Sequence, residues 1–339
     1  MTIDIHAHFF PPEVLDFYHR HGGEVVDVVE LPDGGLQVWF HGRVFHARLP
    51  RAIHDEEAHV RLMDDIDVAV HAVSLPPPMV YWADPSEARD LCGIANDALL
   101  AMSQRHPGRF IPAASVPLQA PGLAIDELHR VVGIGYRLIG IGTNVEDVQL
   151  DDPSLEDFFS EAARLDVAVF IHPIISRWTE HAQDYRLDLA VGMTTETTMA
   201  ASRIVNAGLL DRYPDLRLCW SHLGGYLPFI ADRVDYFQKT TPGGSNGGRA
   251  QEPFLVYFNR FWYDACVYSS RMLAAGLRFV DPARLMFGTD SPFLGDSSDH
   301  VRQLIETSPD LTPAQRAGVM EGNARTFLKL DGQASATDR

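Results

Sequence analysis

Thr2-Ile3-Asp4-Ile5-His6-Ala7-His8 decides the fold. It reads as a short buried strand that ends in two histidines. Side chains two apart on a strand point to the same side, so His6 and His8 face one point. Outward from this stretch the pattern recurs: an apolar run of strand length, a polar residue at its end, then a helical stretch. Strands are read at residues 2–8, 68–74, 110–116, 138–142, 167–172, 216–221, 261–264 and 285–287. Helices are read at 55–65, 85–103, 120–132, 155–165, 195–207, 227–239, 270–275, 298–308 and 313–327. Strands alternating with helices predict a parallel sheet, and eight of them predict an α/β fold of the closed (β/α)₈ TIM-barrel type.

Residues 24–49 alternate apolar and polar around Pro32-Asp33-Gly34-Gly35 and His41-Gly42. They predict a small β-hairpin insertion after the first strand, inside a segment 12–54. The expected organisation is one barrel domain over 1–330 with a flexible C-terminal tail at 331–339. Residues 243–248 read as a mobile loop.

The chain has 339 residues, of which 46% are hydrophobic and 22% charged, which excludes disorder as its main state. Its 28 basic and 46 acidic residues leave a net charge of −18. Such a surface repels nucleic acid and anionic membrane, so neither is an expected partner. A small anionic substrate remains compatible, because a few arginines in one pocket oppose the global field. The three cysteines, Cys92, Cys219 and Cys266, lie far apart and form no CxxC pair, which fits a reducing cytoplasm. No signal peptide or membrane-spanning run is read.

Four histidines and one aspartate stand where strands end: His6, His8, His172, His222 and Asp290. One histidine at such a place is usually a hydrogen-bonded structural residue. Five groups converging on the mouth of a barrel, where active sites of this fold lie, argue for shared chemistry. Neutral imidazoles with one carboxylate suit Zn²⁺, with Mn²⁺ or Fe²⁺ as alternatives. The expected ligands are His6, His8, His172 and Asp290, one ion per chain. His222 is kept as the general acid/base, because a fifth protein ligand crowds out substrate.

Taken in order, Ile3-Asp4-Ile5-His6-Ala7-His8, Phe170-Ile171-His172-Pro173, Ser221-His222-Leu223-Gly224-Gly225 and Gly288-Thr289-Asp290-Ser291-Pro292-Phe293 resemble the amidohydrolase superfamily. They are most similar to its branch of aminocarboxymuconate-semialdehyde decarboxylases, over nearly the whole chain. The resemblance implies a carboxy-lyase that removes CO₂, without oxidation, from a carboxylated muconate semialdehyde or a hydroxybenzoate-type acid. It carries metal roles to His6, His8, His172 and Asp290, and catalytic roles to His222 and Asp290. It also implies two substrate-binding arginines. One lies in the segment after the hairpin, matched by Arg51 with Arg48 as the alternative. The other is Arg233, which in this family reaches the partner's site in a homodimer. Binuclear members bridge two metals with a carboxylated lysine on the fourth strand. Here no lysine precedes Lys239, so one metal is expected.

The sequence also departs from the family. Leu223 stands where the family's His-Gly-Gly-Gly has its first glycine, and Arg186 and Leu189 occupy a stretch that carries tryptophans in the enzyme resembled. A metal-dependent hydrolase or hydratase of a related ring-cleavage product or lactone remains the alternative activity. The same ligands and His222 would serve it.

Overall fold

The computed structural model describes residues 1–176, 182, 184–240, 248–293 and 297–332. Thirteen strands are present among them: β1 (Ile3–His8), β2 (Val26–Glu30), β3 (Leu36–Phe40), β4 (Arg43–His46), β5 (Val70–Ser74), β6 (Phe110–Ala114), β7 (Leu138–Gly142), β8 (Asn144–Val145), β9 (Val148–Gln149), β10 (Ala168–His172), β11 (Arg217–Trp220), β12 (Trp262–Asp264) and β13 (Leu285–Met286). Eight of them form one parallel sheet in the order β1-β5-β6-β7-β10-β11-β12-β13. The sheet closes on itself through a parallel bridge between Ala7 and Ser291. There His8 N–H donates to the Ser291 carbonyl at 2.8 Å, and Asp290 N–H to the His6 carbonyl at 2.8 Å. The result is the (β/α)₈ barrel that the sequence predicts, with helices packed around the strands.

Local chemistry sets the helix starts. Asp84 caps helix Pro85–Arg105 by accepting from the backbone N–H groups of Ser86 and Glu87, with proline in the first turn. Asp55 caps Glu56–Asp65 through Ala58 N–H. Each such cap stabilises its helix by about 1 kcal/mol. The stretch 313–327 is not one regular helix. It runs as Pro313–Ala317, a wide π turn at Gly318–Gly322, and Asn323–Leu328. At this turn the Val319 carbonyl accepts Phe287 N–H at 2.8 Å, joining the C-terminal helix to the strand end before Asp290.

The insertion differs from the expected hairpin. It begins with a helix, Pro12–His21, that the sequence reading did not anticipate, and continues as a three-stranded antiparallel sheet β2-β3-β4. Val26, Val38 and Leu49 belong to the same apolar core as Leu75 and Ile139 of the barrel. The expected loop lies almost wholly, and the expected tail mostly, outside the described residues; Leu330–Gly332 form a 3₁₀ turn. Among the described residues no helix is long and apolar enough to cross a membrane.

Candidate metal centre and active site

The strand ends deliver their side chains to one point. His6 and His8 lie on β1 and are fully buried, and His172 ends β10. Asp290 follows β13 in a left-handed conformation at φ 61°. Its Oδ1 lies 3.2 Å from His6 Nε2, 3.0 Å from His8 Nε2 and 3.9 Å from His172 Nε2. The Nε2 atoms of His6 and His8 are only 3.1 Å apart. The structure thus brings together all four residues named from the sequence as ligands, and their donor atoms lie within 4.8 Å of one another.

The opposite ring nitrogens are already engaged. His6 Nδ1–H donates to Asp264 Oδ2 at 2.6 Å, and His172 Nδ1–H to the Pro173 carbonyl at 2.8 Å. His8 Nδ1 lies 3.1 Å from Ser74 Oγ. That hydroxyl donates to the Ala7 carbonyl at 3.4 Å and so accepts from His8. These partners engage the Nδ1 atoms and leave three Nε2 atoms aimed at one place. His172 Nε2 is buried without a hydrogen-bond partner. Without an ion this crowding holds a proton on His6, whose place a cation can take, so the donor set fits a resident metal ion.

Electrostatics point the same way. Burial opposes charge on His6, yet Asp290 and Asp264 together raise its pKa to about 10. Burial lowers His8, and lowers His172 to about 3. Burial also opposes ionisation of Asp290, but His6, His172 and His222 outweigh it and hold the carboxyl well below the usual range. Two carboxylates in a dry site call for positive charge where the three imidazoles meet.

His222 stands beside this cluster, not inside it. Its Nε2 lies 3.5 Å from Asp290 Oδ2, and its ring centroid 5.0 Å from that of His6. Its Nδ1 is buried and unpartnered. The turn that presents it is strained: His222 and Leu223 have φ of 53° and 56°, where only glycine is comfortable. Leu223, in the place of a family glycine, is held by its N–H to Asp264 Oδ1 at 3.0 Å. A Cβ on Gly276 would come within 2.5 Å of the Leu223 side chain, so that neighbour has to be small.

Three contributors were not singled out from the sequence. Asp264 ends β12 and obeys the same strand-end rule that revealed the others. Asp4 lies on the His6 face of β1, and its Oδ1 accepts His6 N–H at 2.8 Å and Thr289 N–H at 3.2 Å. Burial raises the Asp4 carboxyl to about 7. His46, from β4 of the insertion, stacks on Phe293 at 4.7 Å, and Phe293 in turn tilts against His8 at 5.7 Å. No local pattern marks His46.

The arginines lie elsewhere. Arg51 is 74% exposed and pairs with Asp55 at 2.7 Å, while Arg48 pairs with Asp33 at 2.7 Å. Arg233 is exposed on helix Leu227–Thr240, its guanidinium 4.9 Å from the Phe237 ring. The structure does not bring either Arg51 or Arg233 to the cluster of its own chain.

The chain belongs to the amidohydrolase family, whose sequence model matches residues 3–330. It is 30% identical to a 2-amino-3-carboxymuconate-6-semialdehyde decarboxylase of Dictyostelium discoideum, over 98% of this chain and 92% of that one. It is 28% identical to a gamma-resorcylate decarboxylase of Rhizobium radiobacter, over 84% and 90%. Its fold matches the crystal structure of Metarhizium anisopliae IDCase with a TM-score of 0.88 at 24% identity, over 98% of each chain. The resemblance read from the four motifs is thereby borne out.

Proposed function

We propose that the chain is a metal-dependent, non-oxidative decarboxylase of a small carboxylate, of the muconate-semialdehyde or hydroxybenzoate type. One observation carries this reading: three Nε2 atoms meet at Asp290, and His222 stands beside them free to move a proton. The relatives' names agree with it. His6, His8, His172 and Asp290 hold one ion, for which three imidazoles and a carboxylate favour Zn²⁺, with Mn²⁺ as the alternative. When bound, the ion supplies Lewis-acid charge for a substrate oxygen.

The remaining work falls to the chain. The bond between the substrate carbon and its carboxylate breaks, CO₂ leaves, and the electron pair stays on carbon. His222 delivers the proton that this carbon takes up, and Asp290 Oδ2 orients the imidazole. Phe293 against His8, with His46 stacked on it, puts aromatic surface beside the cluster. Arg51 and Arg233 are the proposed carboxylate binders. The exposure of Arg233 suits a homodimer in which it serves the partner's site. Tyr236 and Phe237 on the same helix, and Phe229 near its start, are also exposed, giving an apolar face that a second copy covers. One barrel domain over 1–330, with 12–54 as its insertion, and a cytoplasmic location that suits three free thiols complete the reading.

The test is CO₂ release from 2,6-dihydroxybenzoate and from carboxylated muconates by chelator-treated protein, before and after Zn²⁺ is restored. Zinc-dependent release is expected. Water incorporation into a lactone or ring-cleavage product without CO₂ would replace this reading with a hydrolase.

A further inference from the structure

Cys266 is a chemistry-bearing side chain at the barrel mouth that the reaction above does not use. It follows Asp264 by two residues, and only 2% of it is exposed. Its Sγ, one nitrogen of His222 and one of His6 lie within 4.8 Å of one another. The His222 side chain is 11% exposed, and its Nδ1 is buried with no partner. A thiol and an imidazole nitrogen this close can share one cation.

Sulfur and imidazole together select soft or borderline cations. A cation that takes the sulfur as a ligand displaces the thiol proton. His6 cannot serve two ions, because its Nδ1 is committed to Asp264 and only Nε2 remains. The two side chains left to a second ion are Cys266 and His222.

We propose that Cys266 and His222 form a second, inhibitory site for thiophilic cations such as Cd²⁺ or surplus Zn²⁺. Capture forms a sulfur–cation bond, breaks the S–H bond and releases that proton to solvent; no oxidant or reductant takes part. Filling the site ties up the nitrogen lone pair of His222 and stops proton delivery. That loss of turnover rests on the proposed role of His222, whereas the binding itself does not.

The experiment titrates Cd²⁺ into the chelator-treated full chain and follows ions bound together with the ultraviolet sulfur-to-cadmium charge-transfer band. The wild-type chain is expected to take two ions, with the band rising as the second enters. Cys266→Ala should take one ion and show no band, and Cys266→Ser carries the comparison if the alanine variant folds poorly. In parallel, CO₂ release by the zinc-loaded protein should fall with added Cd²⁺. Cys266→Ala should tolerate at least about 100-fold more, because losing a ligand costs more than the 10–100-fold of an outer-shell loss. Equal stoichiometry in the two chains, or a band that survives in Cys266→Ala, overturns the site. Should the wild-type chain release CO₂ from no acid, the decarboxylase reading fails while the cadmium counts still decide the site.

Discussion

The carboxylate of Asp264 and the imidazole of His6, 258 positions apart in the chain, meet at 2.6 Å with both side chains sealed from solvent. The other Asp264 oxygen accepts from Leu223 N–H at 3.0 Å and Cys266 N–H at 3.1 Å. One carboxylate thus aims a proposed ion ligand and holds the turn that carries the proposed proton donor. Asp264→Asn should weaken Zn²⁺ binding by about 10–100-fold, the usual effect of losing an outer-shell carboxylate. Competition against a chromophoric chelator measures it, and unchanged affinity would deny Asp264 this role.

His222→Ala separates holding the ion from moving the proton. The variant should keep one ion per chain and lose CO₂ release by about 10²–10⁴-fold. If the ion is lost with the side chain, His222 is a ligand instead.

The two arginines can be tested together. Arg51→Ala and Arg233→Ala should each be inactive, and mixing them under subunit exchange should restore activity. A mixed dimer holds one site with both defects and one intact site, so recovery reaches at most roughly half per mixed dimer. A monomer in solution, or proven exchange without recovery, rules out sharing of Arg233. The salt bridge of Arg51 to Asp55 also makes Arg51 the more exposed of the two ideas. If Arg51→Ala keeps full activity, the carboxylate is bound by another residue.

Acid should weaken the fold through buried neutral histidines. Burial lowers His46 and His59 to about 4 each, and His71 well below its ordinary value. In the unfolded chain each titrates near 6.5. Their contribution is complete above about pH 6.5 and is lost as pH falls toward 4, because the unfolded chain then binds protons that the fold refuses. Each histidine costs about 1.4 kcal/mol per pH unit in that window. The raised carboxyl of Asp4, 3.8 Å from His71 Nε2, acts in the opposite sense. Urea unfolding of wild type and His59→Gln at pH 7 and pH 5 tests the His59–His71 pair, whose ring nitrogens lie 2.9 Å apart, and the variant should lose less stability on acidification.

The barrel was legible because each strand is an apolar run that stops at a polar residue. That one rule placed His6, His8, His172, His222 and Asp290. It also covered Asp264, which was read as a strand end and given no role, since nothing local says that a carboxylate will meet a histidine on the first strand. His46 left no trace in the sequence, because its place depends on how the insertion folds back over the barrel. Helix Pro12–His21 begins at the second of two prolines, and Pro12 opens its first turn. The wide turn at Gly318–Gly322 serves a tertiary hydrogen bond to Phe287, and helical periodicity carries no record of it. The arginine roles came from family resemblance alone, and their exposure in the single chain shows why spacing could not supply them.

The seam between β1 and β13 joins the first barrel strand to the eighth. Asp4 alone ties together positions 285 apart in the chain through Thr289. Two ion ligands sit on one lip of this seam and Asp290 on the other, so an ion bound by all four residues acts as a clasp. On the proposed ligand set such an ion binds the closed ring more tightly than the open one, and that difference opposes opening. On that ligand set, closing the seam and completing the site are coupled. Stripping the ion should accelerate amide hydrogen exchange at residues 3–8 and 285–291, while the β7–β10 pair on the far side stays protected.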